Sequence, residues 1–133
     1  MRILLVDLES AWRGGQAQAL LLLKGLLARG HAPALVAPHD SLLAWRAREA
    51  GVQVHSVSSR WRRLAAMRVI QKLIASRGVD IVHANEPHAL TAAWAAGAHH
   101  TAPLVVSRRI ARPIPKGHIS RARYHAVSRL RPL

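Results

Sequence analysis

Cysteine is absent from the sequence, which excludes disulfides and thiolate metal sites and is compatible with a reducing compartment. Phenylalanine is also absent and tyrosine occurs once, so the apolar half of the composition is carried chiefly by Leu, Ala and Val. Acidic residues number six against 20 Lys plus Arg, leaving a formal net charge of +14. A field of that sign favours anionic partners such as phosphates, nucleic acid or acidic lipid without choosing among them. Arg is nearly the whole of that excess, and in so Ala-rich a chain genome base composition explains it as readily as function, so nucleic acid is not expected as a partner.

Long apolar runs are missing too. Ile3 to Val6 is interrupted by Asp7, too short for the apolar stretch of a secretory signal, and Lys24 breaks the run from Ala17 to Ala28 before it reaches the roughly 18 residues of a spanning helix. The expectation is a cytoplasmic protein, in contact with membrane at most peripherally, at its inner face. At 133 residues the chain fits one domain, 1–133, able to bury a core without metal or disulfide staples.

What is present alternates between two kinds of segment. Arg2 to Leu8 is a near-continuous run of branched apolar residues, as in a strand buried on both faces. A glycine loop follows, then helix formers from Gln16 to Arg29, with Gly30 placed to end the helix in the left-handed region. Pro33 to Ala37 reads as a strand, Ser41 to Ala50 as a Ser-capped helix stopped by Gly51, and Val52 to Val57 as a strand. A helix over Arg62 to Ser76 is expected to bury Leu64, Met67, Ile70, Leu73 and Ile74, with Gly78 again past its end. Val79 to His83 is a strand, His88 to Ala98 a helix after Pro87, and Leu104 to Ser107 a strand. From Arg108 to Arg123 the tail loses its periodicity, and Tyr124 to Val127 hints at a last strand. The order βαβαβαβαβ predicts an α/β, Rossmann-like doubly wound and mostly parallel sheet.

Ligands of such sheets bind beyond the carboxyl ends of the strands, where this chain is polar. Asp7, Glu9, Ser10, Gly14 and Gly15 follow the first strand; His83, Asn85, Glu86 and His88 follow the fourth; Ser107, Arg108 and Arg109 follow the fifth. Gly14 and Gly15 precede a helix whose amides and dipole can hold a phosphate or carboxylate, although a lone Gly-Gly pair is as often a plain connection. The pair lacks the G-x-G-x-x-G spacing of dinucleotide sites, which disfavours a nicotinamide dehydrogenase. Arg108 and Arg109, with Arg112 nearby, could grip phosphate through paired donors. His83 alone is more often a backbone-bonded strand-end residue than a catalytic one. His83, Glu86 and His88 match no zinc spacing, and Pro87 breaks the helix that would align them, so no metal is expected. Arg62, Arg63, Arg68 and Lys72, with Trp61 before them, form either a solvated face or one that meets an acidic membrane surface.

Several short motifs then fall in a familiar order. Gly14-Gly15-Gln16, Arg29-Gly30-His31, Ala50-Gly51-Val52, the strand Val79 to Ala84, Val105-Val106-Ser107-Arg108-Arg109, and Ser120 to Tyr124 with Ala126-Val127-Ser128 resemble the N-terminal domain of family-4 glycosyltransferases with the GT-B fold. The resemblance implies a sugar transferase, hexosyltransferase-like, using a nucleotide-sugar donor as substrate, with no cofactor, and a glycan or lipid-linked acceptor of the cell envelope such as lipopolysaccharide. It also implies that Gly14, Gly15 and Gln16 approach the donor phosphates or acceptor, and that His83, Glu86, Arg108 and Arg109 line the cleft. Many relatives carry His-x-His where this chain has His83 and Asn85, and His where it has Arg109. Relatives continue past the position of Leu133 into a donor-binding domain, so this chain is expected to supply the acceptor side alone and to be inactive by itself.

Overall fold

A computed structural model describes residues 1–76, 78–107 and 117–127. Its elements are β1 (Arg2–Val6), α1 (Gly14–Ala28), β2 (Ala32–Pro38), α2 (Leu42–Glu49), β3 (Gln53–Val57), α3 (Arg62–Ala75), β4 (Ile81–Ala84), α4 (Pro87–Ala95), β5 (Leu104–Val106) and α5 (His118–His125). The five strands form one parallel sheet in the order β3-β2-β1-β4-β5. This is the doubly wound α/β arrangement expected from the alternation. Chain order reverses between β1 and β4, where Val6 lies beside both Val36 and Ala84.

Successive strand residues face opposite sides of the sheet, and the core divides accordingly. Leu4, Val6, Val36 and Val82 pack on Ala66 and Ile70 of α3 and Ala89 and Leu90 of α4. Leu5, Leu35 and Ala37 pack on Leu20 and Leu23 of α1 and Leu43 and Ala47 of α2. Leu5 and Leu35 are fully buried, so truncating either to Ala should cost about 2–5 kcal/mol through lost burial and the cavity left behind.

Helix ends follow local chemistry. Ser41 Oγ accepts the Ala44 amide at 3.1 Å, which starts α2 where the sequence predicts. Gly30 and Gly51, at φ +81° and +90°, let the chain turn out of α1 and α2.

Elsewhere the structure corrects the sequence reading. Helix α1 starts at Gly14 rather than Gln16, because Gln16 Oε1 accepts the Arg13 amide at 3.1 Å while the Arg13 carbonyl takes the Gln16 amide at 3.1 Å. The two glycines are therefore the first turn of the helix and not a loop before it. Helix α4 likewise begins one residue early, with Pro87 in the first turn behind a Glu86 cap, and stops at Ala95 because Gly97 is left-handed at φ +74°. A short 3-10 turn occupies Ala98–His100. Gly78 does not take the left-handed form. Of the expected α3 stripe, Ile70 is fully buried and Leu73 and Ile74 pack half-buried on the core, but Leu64 is 46% exposed and Met67 only half-buried, Ala66 and Val69 taking their places.

The expected strand at Tyr124 to Val127 is not formed. Tyr124 belongs to α5, and the amides of Arg121 and Ala126 bond four residues back to Gly117 and Ala122 in helical fashion. Helix α5 docks through Arg123, whose Nη1 donates to Thr91 Oγ1 of α4 at 2.6 Å. Among the described residues no helix is long and apolar enough to cross a membrane.

Candidate functional site

The carboxyl ends of β1 and β4 flank the point at which the sheet reverses its winding, the usual ligand crevice of such folds. Asp7, the first residue after β1, is fully buried there. Its Oδ2 accepts from Asn85 Nδ2 at 2.5 Å and from Gln16 Nε2 at 3.0 Å, while Oδ1 accepts the Glu9 amide at 3.0 Å. Asn85 also donates to the Gly15 carbonyl at 3.3 Å. One carboxylate thus fixes the start of α1 against the ends of two strands. Burial pushes the Asp7 carboxyl above the usual range, against the lowering effect of its Asn85, Glu9 and Gln16 donors.

Glu86 forms a second tie. Its Oε1 accepts the amides of Leu8 at 3.0 Å and Ala89 at 2.7 Å, and its Oε2 accepts the His88 amide at 2.6 Å. It caps α4 and pins the loop after β1 at once. Burial pushes its carboxyl up as well, opposed by the Leu8 and His88 amides, and the nearby Asp7 charge adds to the rise.

The sequence-derived candidates therefore fall into separate places. Gly14, Gly15 and Gln16 form the first turn of α1 and are joined to Glu86 through Asp7, Asn85 and Leu8. Helix starts leave amides without intrahelical acceptors, so Gly14 and Gly15 offer donors at the crevice. A side chain added at Gly14 would meet nothing within 4 Å, so open space adjoins that turn. His83 lies within β4 rather than after it, on the sheet face that α1 covers, where its Nε2 is 2.6 Å from Ser107 Oγ. Arg108, Arg109 and the neighbouring Arg112 lie outside the described residues.

Asp7 and Asn85 stand out only in the structure. The sequence shows them as polar residues behind strands, and the signal that could have raised them is their place, immediately after β1 and β4 on adjacent strands. Their pairing spans 78 positions of chain, a separation that no local pattern reveals.

A third cluster lies on the α3 and α4 side. Glu9, Glu86 and His88 bring possible ligand atoms within 4.8 Å of one another, with Glu9 standing where the spacing considered above has His83. The Glu86 oxygens are engaged by three amides. His88 is held below its usual range by burial first and by Arg63, Arg62 and Arg123, with Glu9 opposing. At the start of α3 a cleft of about 420 Å³ is lined by Ser59, Arg60, Trp61, Arg62, Arg63 and Leu64.

The fold is shared with larger proteins. MurG of Acinetobacter baumannii superimposes with a TM-score of 0.71 at 11% identity, over 95% of this chain and 39% of that one. HepE of Anabaena, solved with UDP, gives 0.67 at 19% identity over 95% and 35%, and a glycosyltransferase of Rickettsia africae gives 0.65 at 20% over 86% and 31%. The chain spans between about a third and two fifths of the length of these structures. No protein with a curated description matches it significantly in sequence. Residues 13–133 match the family model described as a glycosyl transferase 4-like domain. With its Rossmann-like sheet of the GT-B type, the chain belongs to the glycosyl transferase 4-like domain family.

Proposed function

We propose that this domain is the acceptor-side half of a bacterial glycosyltransferase that moves a sugar from a nucleotide-sugar donor to a glycan or lipid-linked acceptor in cell-envelope polysaccharide or lipopolysaccharide synthesis. The family match over residues 13–133 carries this reading. HepE, which shares the fold, is solved with UDP and with UDP-glucose, which supports a nucleotide sugar as donor. No cofactor beyond that substrate is required by the chemistry.

In the transfer, the acceptor hydroxyl oxygen bonds to the anomeric carbon as the bond from that carbon to the diphosphate breaks, and the hydroxyl proton passes to the departing diphosphate. The negative charge that develops on the diphosphate must be stabilised. In this reading the amides of Gly14 and Gly15 serve that charge or orient the acceptor, and the bonds of Gln16, Asp7 and Asn85 that fix the first turn of α1 support it. His83, with Ser107, and the arginines Arg108 and Arg109 complete the proposed lining, while Glu86 positions the loops around it. In this reading a donor-binding domain supplies the rest, and the acceptor-side domain alone transfers no sugar. Assaying the domain alone and joined to a donor-binding domain tests this: sugar transfer by the joined form only is expected, and transfer by the domain alone, or by neither, contradicts it.

Peripheral contact with an acidic membrane at its cytoplasmic face fits the same reading. Trp61 is 63% and Leu64 46% exposed, next to Arg60, Arg62, Arg63 and Arg68. The same surface favours a second reading, a module that binds an anion or acidic lipid without chemistry. Sugar transfer by the two-domain protein would exclude that second reading.

A further inference from the structure

A chain of hydrogen bonds leads from the loop after β1 to the cleft at the start of α3. Asp40, in the loop after β2, accepts on one oxygen, Oδ1, from Ser59 Oγ at 2.7 Å and from Ser10 Oγ at 3.2 Å. Ser59 lines the cleft, whose volume of about 420 Å³ is within the range of small-ligand sites. Ser10 belongs to the loop after β1, next to Glu9. The loops after β1, β2 and β3 are thereby tied together over adjacent strand ends. We propose that the cleft, with Trp61, Ser59 and Asp40, is a subsite for a neutral sugar ring of an oligosaccharide acceptor, next to the ring that reacts. The inference rests on the acceptor-side reading and names the chemical class of that acceptor.

Hydrogen-bond supply decides what fits there. A serine hydroxyl has one O–H to donate, and both serines give theirs to Asp40. Ser10, Asp40 and Ser59 therefore present acceptors, and the second Asp40 oxygen is used by neither serine. An ionised phosphate ester brings no donor to them and meets the Asp40 charge, whereas a sugar hydroxyl both donates and accepts. The rest of the lining complements such a group, because Arg62 and Arg63 offer donors that the same hydroxyls accept. Trp61, 63% exposed and with the Arg60 guanidinium 5.7 Å from its ring centre, gives the cleft an aromatic surface. An apolar ring body beside polar partners suits a pyranose, whose C–H face is apolar and whose rim is hydroxylated. The reach matters as well. Strands β1 and β3 stand two spacings apart across β2, roughly 10 Å. A ligand that extends from the crevice at β1 to the cleft beyond β3 is thus longer than one ring, which makes the acceptor an oligosaccharide. Membrane contact, considered above for the same helix, asks nothing of Asp40 or Ser59.

Saccharide binding to the whole chain, followed by nuclear magnetic resonance, tests the subsite without any sugar transfer. The probes are glucose, galactose and N-acetylglucosamine, and a linear trisaccharide of each. At least one trisaccharide should bind saturably, shift the Trp61 indole and Asp40 carboxyl resonances, and bind at least about fivefold more tightly than its monosaccharide. Trp61→Ala and Asp40→Ala should each weaken it at least about fivefold. Trp45→Ala, the same loss of an exposed tryptophan on the α2 side of the sheet, should leave it within about twofold. Trp61→Phe should retain most of the affinity and shows that the start of α3 tolerates substitution there. Absence of binding by every trisaccharide, equal losses in Trp61→Ala and Trp45→Ala, or displacement of the trisaccharide by inorganic phosphate would overturn the subsite. So would a Trp61→Ala protein that loses only its binding to phosphatidylglycerol vesicles, which would assign the ring to the membrane. Trisaccharide binding in a protein that proves to transfer no sugar would leave the subsite standing and remove only the transferase reading. Transfer indifferent to both Asp40→Ala and Trp61→Ala would remove the subsite alone.

Discussion

Asn85 donates its side-chain amide to the buried carboxylate of Asp7, joining the end of β4 to the end of β1 where the sheet reverses its winding. Through Gln16 and the Gly15 carbonyl the same pair sets the first turn of α1. The proposed phosphate-facing amides therefore depend on a network of buried side chains at the strand ends.

Removing its centre should be costly. Asp7→Ala leaves the buried donors of Asn85 and Gln16 without an acceptor, and a loss of about 2–4 kcal/mol is expected in urea unfolding. A double-mutant cycle with Asn85→Ala should give a coupling of about 1–3 kcal/mol, and additive losses would show that the contact is not energetically joined.

Glu86→Ala should destabilise by a similar amount, about 2–4 kcal/mol, since it removes the cap of α4 and strands the buried Leu8 and Ala89 amides. Hydrogen exchange should speed up both at the start of α4 and at Leu8. Faster exchange at α4 alone would refute the bridging role.

The pH dependence has a definite sign. Asp7 and Glu86 both have raised folded pKa values, so between their unfolded and folded values the native state binds more protons than the unfolded one. Their stabilising contribution is full below the unfolded value and is lost as pH rises through the folded one. The stability gap between wild type and Asp7→Ala should thus be wider near about pH 4 than near about pH 8. Exposed Asp40 and Asp80, whose pKa values are lowered, act in the opposite sense, their contribution fading as pH falls through their folded values. Carboxyl resonances provide the check: Asp7 and Glu86 should titrate above Asp40 and Asp80.

Gly14→Ala separates folding from function. The added carbon meets nothing within 4 Å and sits in a helical turn, so stability should rise by about 0.4–1 kcal/mol through a less flexible unfolded chain. Sugar transfer by a two-domain protein should fall if ligand approaches the backbone there. Unchanged transfer would remove Gly14 from the site.

The architecture was legible because apolar runs and glycine stops repeat locally: Ile3 to Val6, Gly30 and Gly51 each mark their element within a few residues. Misreadings arose where a side chain or a distant surface decides. Gln16 winds α1 back through two glycines, Glu86 moves the start of α4 to Pro87, and Tyr124, β-prone in isolation, sits in a helix that packs on α4 through Arg123. For the site, residue type showed which strand ends were polar, but the Asp7 to Asn85 bond and the arginines around His88 join segments far apart in the chain. Such pairings follow from the sheet order, which no single segment encodes.

The most direct test of the proposed acceptor-side role is transfer by this domain joined to the part of Anabaena HepE, solved with UDP-glucose, that lies outside the region superimposed on this chain and serves in the test as donor domain. The expected result is acceptor-dependent release of UDP from UDP-glucose, faster than with the donor domain alone and reduced by Gln16→Ala. Release no faster than from the donor domain alone, or indifferent to Gln16→Ala, would contradict the account.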